Sequence, residues 1–154
     1  MSTKTPVRWL SPAEERAWRA FLRIMVAVRA GTARDLADLG LSWADYEVLS
    51  TLSERPDHTS TLGRQADKMG WSRSRLSRHA TRMQARGLLR RAPDPTDGRG
   101  CLLVLTAQGL RALEDAAPTH VESVRHHLLD RLTPADLAAL ERIARRLEQP
   151  PGQE

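Results

Sequence analysis

Cysteine is all but missing from this sequence: Cys101 is the single one in 154 residues. A lone thiol cannot close an internal disulfide or assemble a cysteine-based zinc cluster, so a disulfide-stapled secreted scaffold is excluded. Aromatic side chains are scarce as well, at four Trp, one Tyr and one Phe. With β-branched residues sparse beside Ala, Leu and Arg, the composition favours helix over sheet. No apolar run approaches the roughly 18 residues of a membrane-spanning helix. The opening MSTKTPVRW lacks the apolar stretch of a secretory signal. These features predict a cytoplasmic protein with no membrane partner. Also missing are a Gly-rich nucleotide loop, a His-Glu-x-x-His and a Gly-x-Ser-x-Gly, so the expectation is a non-enzyme with no cofactor and no resident metal.

What the chain has in quantity is arginine. Its net charge is +5, yet the segment 64–99 alone holds ten basic residues against three acidic ones, a net +7 that leaves −2 for the rest. A GC-rich coding bias accounts for arginine over lysine throughout, at 22 of the 24 basic residues. It does not account for their concentration in one segment. A basic block within a balanced chain is the footprint of a polyanion partner. The only aromatic residue in that block is Trp71, whereas RNA-binding modules offer several for stacking, so duplex DNA is the expected partner.

Helix start signals recur along the chain. Ser11-Pro12-Ala13-Glu14 reads as a capping box, and Trp18, Phe21, Leu22, Met25, Val28, Leu36 and Leu39 follow at helical spacing with a gap near Gly31. This predicts a long helix over about 12–39, stopped by Gly40. Ser42 starts a second helix that ends before Pro56, a brief third fits 63–69, and Ser72 caps a fourth over about 73–86 closed by Gly87. The period then changes. Residues 88–92 and 100–105 read as the strands of a hairpin with a seven-residue loop at 93–99. A fifth helix is expected over about 107–130, broken or bent near Pro118, and a last one runs from Pro134 to about Leu147.

Three short helices followed by a hairpin make a winged helix-turn-helix at 42–105. It is flanked by an N-terminal segment 1–41, a helical pair 106–149 and a disordered tail 150–154. The fold class is mostly α. The fourth helix is the natural recognition helix. Leu76, Ala80 and Met83 form its inward stripe, while Arg75, Arg78, His79, Arg82 and Arg86 recur on another face. Ser72, Ser74 and Ser77 supply hydroxyls near its start, where such helices meet base edges. The candidate DNA-binding set is Ser72, Arg73, Ser74, Arg75, Ser77, Arg78, His79, Arg82, Arg90, Asp97 and Arg99. Any single arginine could instead be a solvated one, or be tied to Asp67 or Glu47.

The run WSRSRLSRHATRMQARGLLRR at 71–91 resembles the recognition helix and first wing strand of the MarR (multiple-antibiotic-resistance regulator) family. DPTDGRG at 94–100 resembles that family's wing tip, and LTAQG at 105–109 the start of the helix after it. LSWADYEVL at 41–49 and LTPAD at 132–136 resemble the second helix and the start of the last. The resemblance implies a homodimeric transcriptional regulator, with a repressor role expected. Its N- and C-terminal helices would intertwine as dimerisation helices, and its two winged domains would read a pseudo-palindromic operator. It also implies that Arg99 enters the minor groove with Asp97 fixing its orientation; simple turn chemistry with a solvated Arg99 is the alternative.

A small-molecule effector between the winged domain and the dimer helices is usual for that family. Trp18, Leu22, Met25, Trp43 and Tyr46 are the candidate lining residues, although the same residues fit a plain core or dimer contact. Metal sensing by His120, His126 and His127, or redox sensing by Cys101, would make a different regulator of the same fold. His120 and His127 are two helical turns apart and would need further ligands. A winged helix that binds nucleic acid without sequence preference is the remaining competitor.

Overall fold

The structure is a computed structural model that describes residues 6–149 and, at the wing tip, the backbone but not the side chain of Arg99. The expected tail at 150–154 lies outside the described residues. Six α-helices and three strands follow in the order α1 (Pro12–Ala37), α2 (Trp43–Ser53), β1 (Thr59–Thr61), α3 (Leu62–Met69), α4 (Arg73–Ala85), β2 (Leu89–Asp94), β3 (Asp97–Leu105), α5 (Ala107–His127) and α6 (Pro134–Glu148). The helix starts follow local chemistry. Ser11 with Glu14, Ser42 with Asp45 and Thr133 with Asp136 form reciprocal capping boxes, and Ser72 Oγ accepts the Arg75 N–H at the start of α4.

The structure adds one strand and corrects two expectations. Thr59–Thr61 is a strand, β1, paired antiparallel to β3 through Thr59–Val104, Ser60–Leu103 and Thr61–Leu102, so the sheet has the order β1-β3-β2. The seven-residue wing loop is shorter, because β2 runs on to Asp94 and β3 starts at Asp97. The register shifts there: Pro93 faces Cys101 but Asp94 faces Asp97, which leaves residues 98–100 bulging from the ladder. Finally, α5 is one helix through Pro118 and stops at His127, before a 3-10 turn at Leu129–Arg131. Proline removes one backbone hydrogen bond there, but the flanking turns stay helical because Leu113, Ala116 and Ser123 are buried against the rest of the fold.

The core is a single cluster. Val48, Leu49 and Leu52 of α2, Leu76, Ala80 and Met83 of α4, and Leu89, Leu103 and Leu105 of the sheet meet Leu113 and Ala116 of α5. Helix α1 joins through its last turns. The gap in its apolar spacing at Gly31 has a structural cause, since a Cβ there would sit 2.5 Å from the His127 ring of α5. Beside it, Ser123 Oγ lies 2.5 Å from Asp35 Oδ2, and His127 Nε2 lies 3.1 Å from the same oxygen. Those contacts, the Ser123 hydroxyl foremost, hold the Asp35 carboxyl below its ordinary pKa. Along the remainder of α1, Trp18, Phe21, Ile24, Met25 and Val26 are exposed, as are Leu137, Leu140, Ile143 and Leu147 of α6.

A carboxylate lies deep inside the winged domain. Asp45, 3% exposed, accepts from Ser42 N at 2.9 Å and from Arg86 Nη1 at 2.8 Å through Oδ2, and its Oδ1 lies 2.9 Å from His79 Nε2. Arg86 also donates to the Gly40 carbonyl. Burial alone would raise the Asp45 pKa, but the contacts from His79, Arg86 and Ser42 outweigh it and hold the carboxyl far below the ordinary range. A carboxylate with a depressed native pKa stabilises the fold fully above its unfolded pKa of about 4, and that contribution fades as pH falls below it. Asp45→Asn is therefore expected to cost about 2–3 kcal/mol at neutral pH, because Arg86 loses its charge partner. In urea unfolding the gap between variant and wild type should narrow as the pH is lowered from about 5 toward 3. Equal stability at neutral pH would contradict this account.

Candidate nucleic-acid interface

Helix α4 is two-faced. Leu76, Ala80 and Met83 are fully buried, and Arg73, Ser74, Arg75, Arg78 and Arg82 are exposed. The helix follows Ser72 in an extended cap and closes at Gly87, whose φ of +73° suits a residue without a Cβ. The three serines near its start have separate tasks. Ser72 caps, Ser74 Oγ lies 3.2 Å from Ser72 Oγ, and Ser77 accepts from Arg91 Nη2 through its carbonyl at 2.7 Å and its hydroxyl at 3.1 Å. Arg91, on β2, thus ties the wing to the recognition helix.

His79 does not stand on the exposed arginine face. It is 8% exposed, with its ring against Asp45 on one side and the Arg82 guanidinium on the other, Nη2 to Nδ1 being 3.0 Å. Helical spacing places residue 79 between the two faces, and the carboxylate of α2 draws it inward. Arg86 likewise turns to Asp45 rather than to Asp67 or Glu47. Arg75 lies over the Trp71 ring, 3.7 Å from its centroid, a cation–π contact one turn apart. Glu47 shares that neighbourhood: burial raises its pKa, and the charges of Arg29 and Arg75 oppose the rise.

At the wing, Arg90 of β2 is exposed. The tight turn is organised by Asp94, whose Oδ1 accepts from Thr96 Oγ1 at 2.7 Å and from Thr96 N at 2.8 Å. Those two bonds, the hydroxyl first, lower the Asp94 pKa. Arg99 occupies the middle of the bulge that follows, and its side chain lies outside the described structure. Asp97 sits at the bulge's first edge, paired in register with Asp94. Asp45, Trp71, Arg86, Arg91 and Asp94 were not among the candidate residues. Of these the Trp71-to-Arg75 spacing of four, the Asp94-to-Thr96 turn and the Ser42-to-Asp45 cap are local; the contacts of Asp45 with His79 and Arg86 and of Arg91 with Ser77 link distant segments.

The five candidate ligand-lining residues do not share a cavity. Met25 and Trp43 line a cleft of about 470 Å³ between α1, α2 and the start of α4, together with Arg29, Glu47, Trp71 and Arg75. Trp18 and Leu22 face a separate groove beside Trp9 and Arg19. Tyr46 instead stacks on His120, with ring centroids 4.1 Å apart, and Trp43 tilts toward the same ring at 6.0 Å. Burial there lowers the His120 pKa and raises that of Tyr46. The histidines go to separate partners. His120 meets these two rings, His127 meets Asp35, and His126 meets the edge of His127. Among the described residues no group of three or more His, Cys, Asp or Glu converges as a metal set, and no helix is long and apolar enough to cross a membrane. Cys101 is a half-buried free thiol on β3.

The arrangement has relatives. A MarR-family model matches residues 39–100. AbsC of Streptomyces coelicolor, a MarR family transcriptional regulator, is 39% identical with a TM-score of 0.83 over 92% of this chain and 98% of that one. Sco3205 of the same organism, solved in complex with DNA, is 32% identical with a TM-score of 0.86 over 96% and 95%. A mutant MarR of E. coli complexed with operator DNA, 20% identical, shares the fold at a TM-score of 0.80 over 91% and 100%. No curated protein matches the chain. At that identity and coverage to AbsC and Sco3205, with the winged domain matched as a family, the chain belongs to the MarR family of transcriptional regulators.

Proposed function

We propose that the protein is a homodimeric, sequence-specific DNA-binding repressor of the cytoplasm. It reads a pseudo-palindromic operator with α4 in the major groove and the wing at the minor groove. The observation that carries this reading is the outward face of α4. Arg75, Arg78 and Arg82 project from a helix whose opposite face is sealed in the core, in a fold whose relative Sco3205 was solved in complex with DNA. Arginine pairs bidentately with guanine in the major groove, whereas serine hydroxyls and the amides of a helix start suit phosphates. Arg73, Ser72, Ser74, Ser77 and Arg90 fall to the backbone-contacting group, which positions the protein rather than selecting sequence. Arg99, with Asp97 orienting it, is assigned to the minor groove.

The bare apolar faces of α1 and α6 support the dimer, since a second copy would cover them. Segments 1–41 and 106–149 are the dimerisation parts in this reading and 42–105 the DNA-binding one. A dimer of this kind sets its half-sites about 34–36 Å apart. The cleft beside Met25, Trp43, Trp71 and Arg75 is the place for a small-molecule effector, because its wall includes the first turn of α4.

Electrophoretic mobility-shift titrations against duplex DNA test the electrostatic part. A dimer making roughly 6–10 phosphate contacts should lose on the order of 10³–10⁵ in affinity between about 50 and 200 mM salt. A flat salt response would refute the proposed surface. Binding-site selection tests the groove assignment. Arg78→Ala or Arg82→Ala should lower discrimination at one base position by about 1–3 kcal/mol, while Arg99→Ala should weaken all sites and most of all those with narrow A·T-rich flanks. Selection that returns no common sequence would favour the non-specific alternative. If Arg99→Ala alone changed the preferred core bases, the groove assignment would be reversed.

A further inference from the structure

The Arg82 guanidinium is held before any DNA arrives. Its Nη2 lies 3.0 Å from His79 Nδ1. A guanidinium has N–H donors and no acceptor, so this is a hydrogen bond only while Nδ1 carries no hydrogen. The ring's hydrogen then belongs on Nε2, which lies 2.9 Å from Asp45 Oδ1, close enough for the carboxylate to favour a hydrogen there although the N–H is not aligned as a hydrogen bond. One tautomer suits both neighbours: a bare Nδ1 toward the guanidinium and a hydrogen on Nε2 toward the carboxylate. The ring cannot turn away easily, being 8% exposed and meeting Trp71 edge-on at 82° with centroids 5.7 Å apart. Asp45 is fixed in turn by Ser42 and Arg86.

We propose that His79 is a positioning residue for DNA reading: Asp45 sets its tautomer, and the bare Nδ1 holds Arg82 in the orientation that meets the operator. An arginine ordered in advance surrenders less side-chain freedom on binding, so its contact is tighter and more selective than that of a freely moving one. The proposal rests on the placement of Arg82 at the DNA and adds the device that aims it. The rival view is that His79 merely joins α2 to α4.

Two half-replacements separate these views in the full-length protein. His79→Asn offers its amide oxygen near the Nδ1 position, so it still accepts from Arg82 but falls short of Asp45. His79→Gln reaches the Nε2 position, so it still donates to Asp45 but leaves Arg82 unheld. In binding-site selection, His79→Gln and Arg82→Ala should both lose about tenfold discrimination at the same operator position, and His79→Asn should keep it. Thermal stability should rank the other way, with His79→Asn below His79→Gln. In an Arg82→Ala background, His79→Gln should add no further loss of discrimination. If discrimination instead tracks stability, or if His79→Gln selects as wild type does while Arg82→Ala does not, the positioning role is overturned. An Arg82→Ala protein unchanged in both affinity and preference would remove the placement of Arg82 on DNA, and this proposal with it. A measurement on the unsubstituted protein stands beside these. The ¹⁵N shifts of His79 at neutral pH should report a hydrogen on Nε2 and none on Nδ1, and a hydrogen on Nδ1 would overturn the proposal.

Discussion

Burying a carboxylate inside a small domain is unfavourable unless donors surround it, and Asp45 is surrounded from two helices at once. Ser42 reaches it from the cap of its own helix, His79 from α4 and Arg86 from the residue that ends α4. Apolar packing of Leu76, Ala80 and Met83 decides which side of α4 faces inward, but such packing has no preferred direction and tolerates a small rotation or slide. Contacts to one carboxylate do not, because they weaken steeply with misalignment. The direction in which Arg75, Arg78 and Arg82 leave the surface is therefore inherited from Asp45.

The same economy appears at the wing. Arg91 spans from β2 to the Ser77 carbonyl, so the hairpin and the recognition helix are held to each other rather than only to a common core. Asp94 closes the turn with its own side chain, which lets the strands extend further than the density of turn-forming residues suggests. Helices α1 and α6 carry Trp18, Phe21, Ile24, Leu140 and Ile143 in the open. The exposed arginines of α4 and the uncovered apolar side chains of α1 and α6 are thus distinct features of one short chain.

Local chemistry was legible in the sequence, and chemistry that joins distant segments was not. The capping boxes at Ser11 and Ser42 and the glycine after α4 place their helices closely, because each acts within four residues. Strand β1 escaped notice because Thr59, Ser60 and Thr61 show no strand pattern of their own and become one only against β3. His79 falls by spacing between the arginine face and the inward stripe, and only Asp45, on another helix, shows why it is buried. The cleft residues went the same way. Trp18 and Tyr46 share the apolar character of Met25 and Trp43, yet face a different groove and a histidine ring respectively. Capping and periodicity supplied the order of the helices and the hairpin, but not these contacts.

The central claim is that two copies of the chain present two recognition helices to one face of a duplex. Hydroxyl-radical footprinting on an operator obtained by selection tests it most directly. The account predicts two protected patches on the same face, centred about 10–10.5 base pairs apart, with the minor-groove flanks covered by the wings. A single patch from a single copy, or uniform protection around the helix, would contradict it.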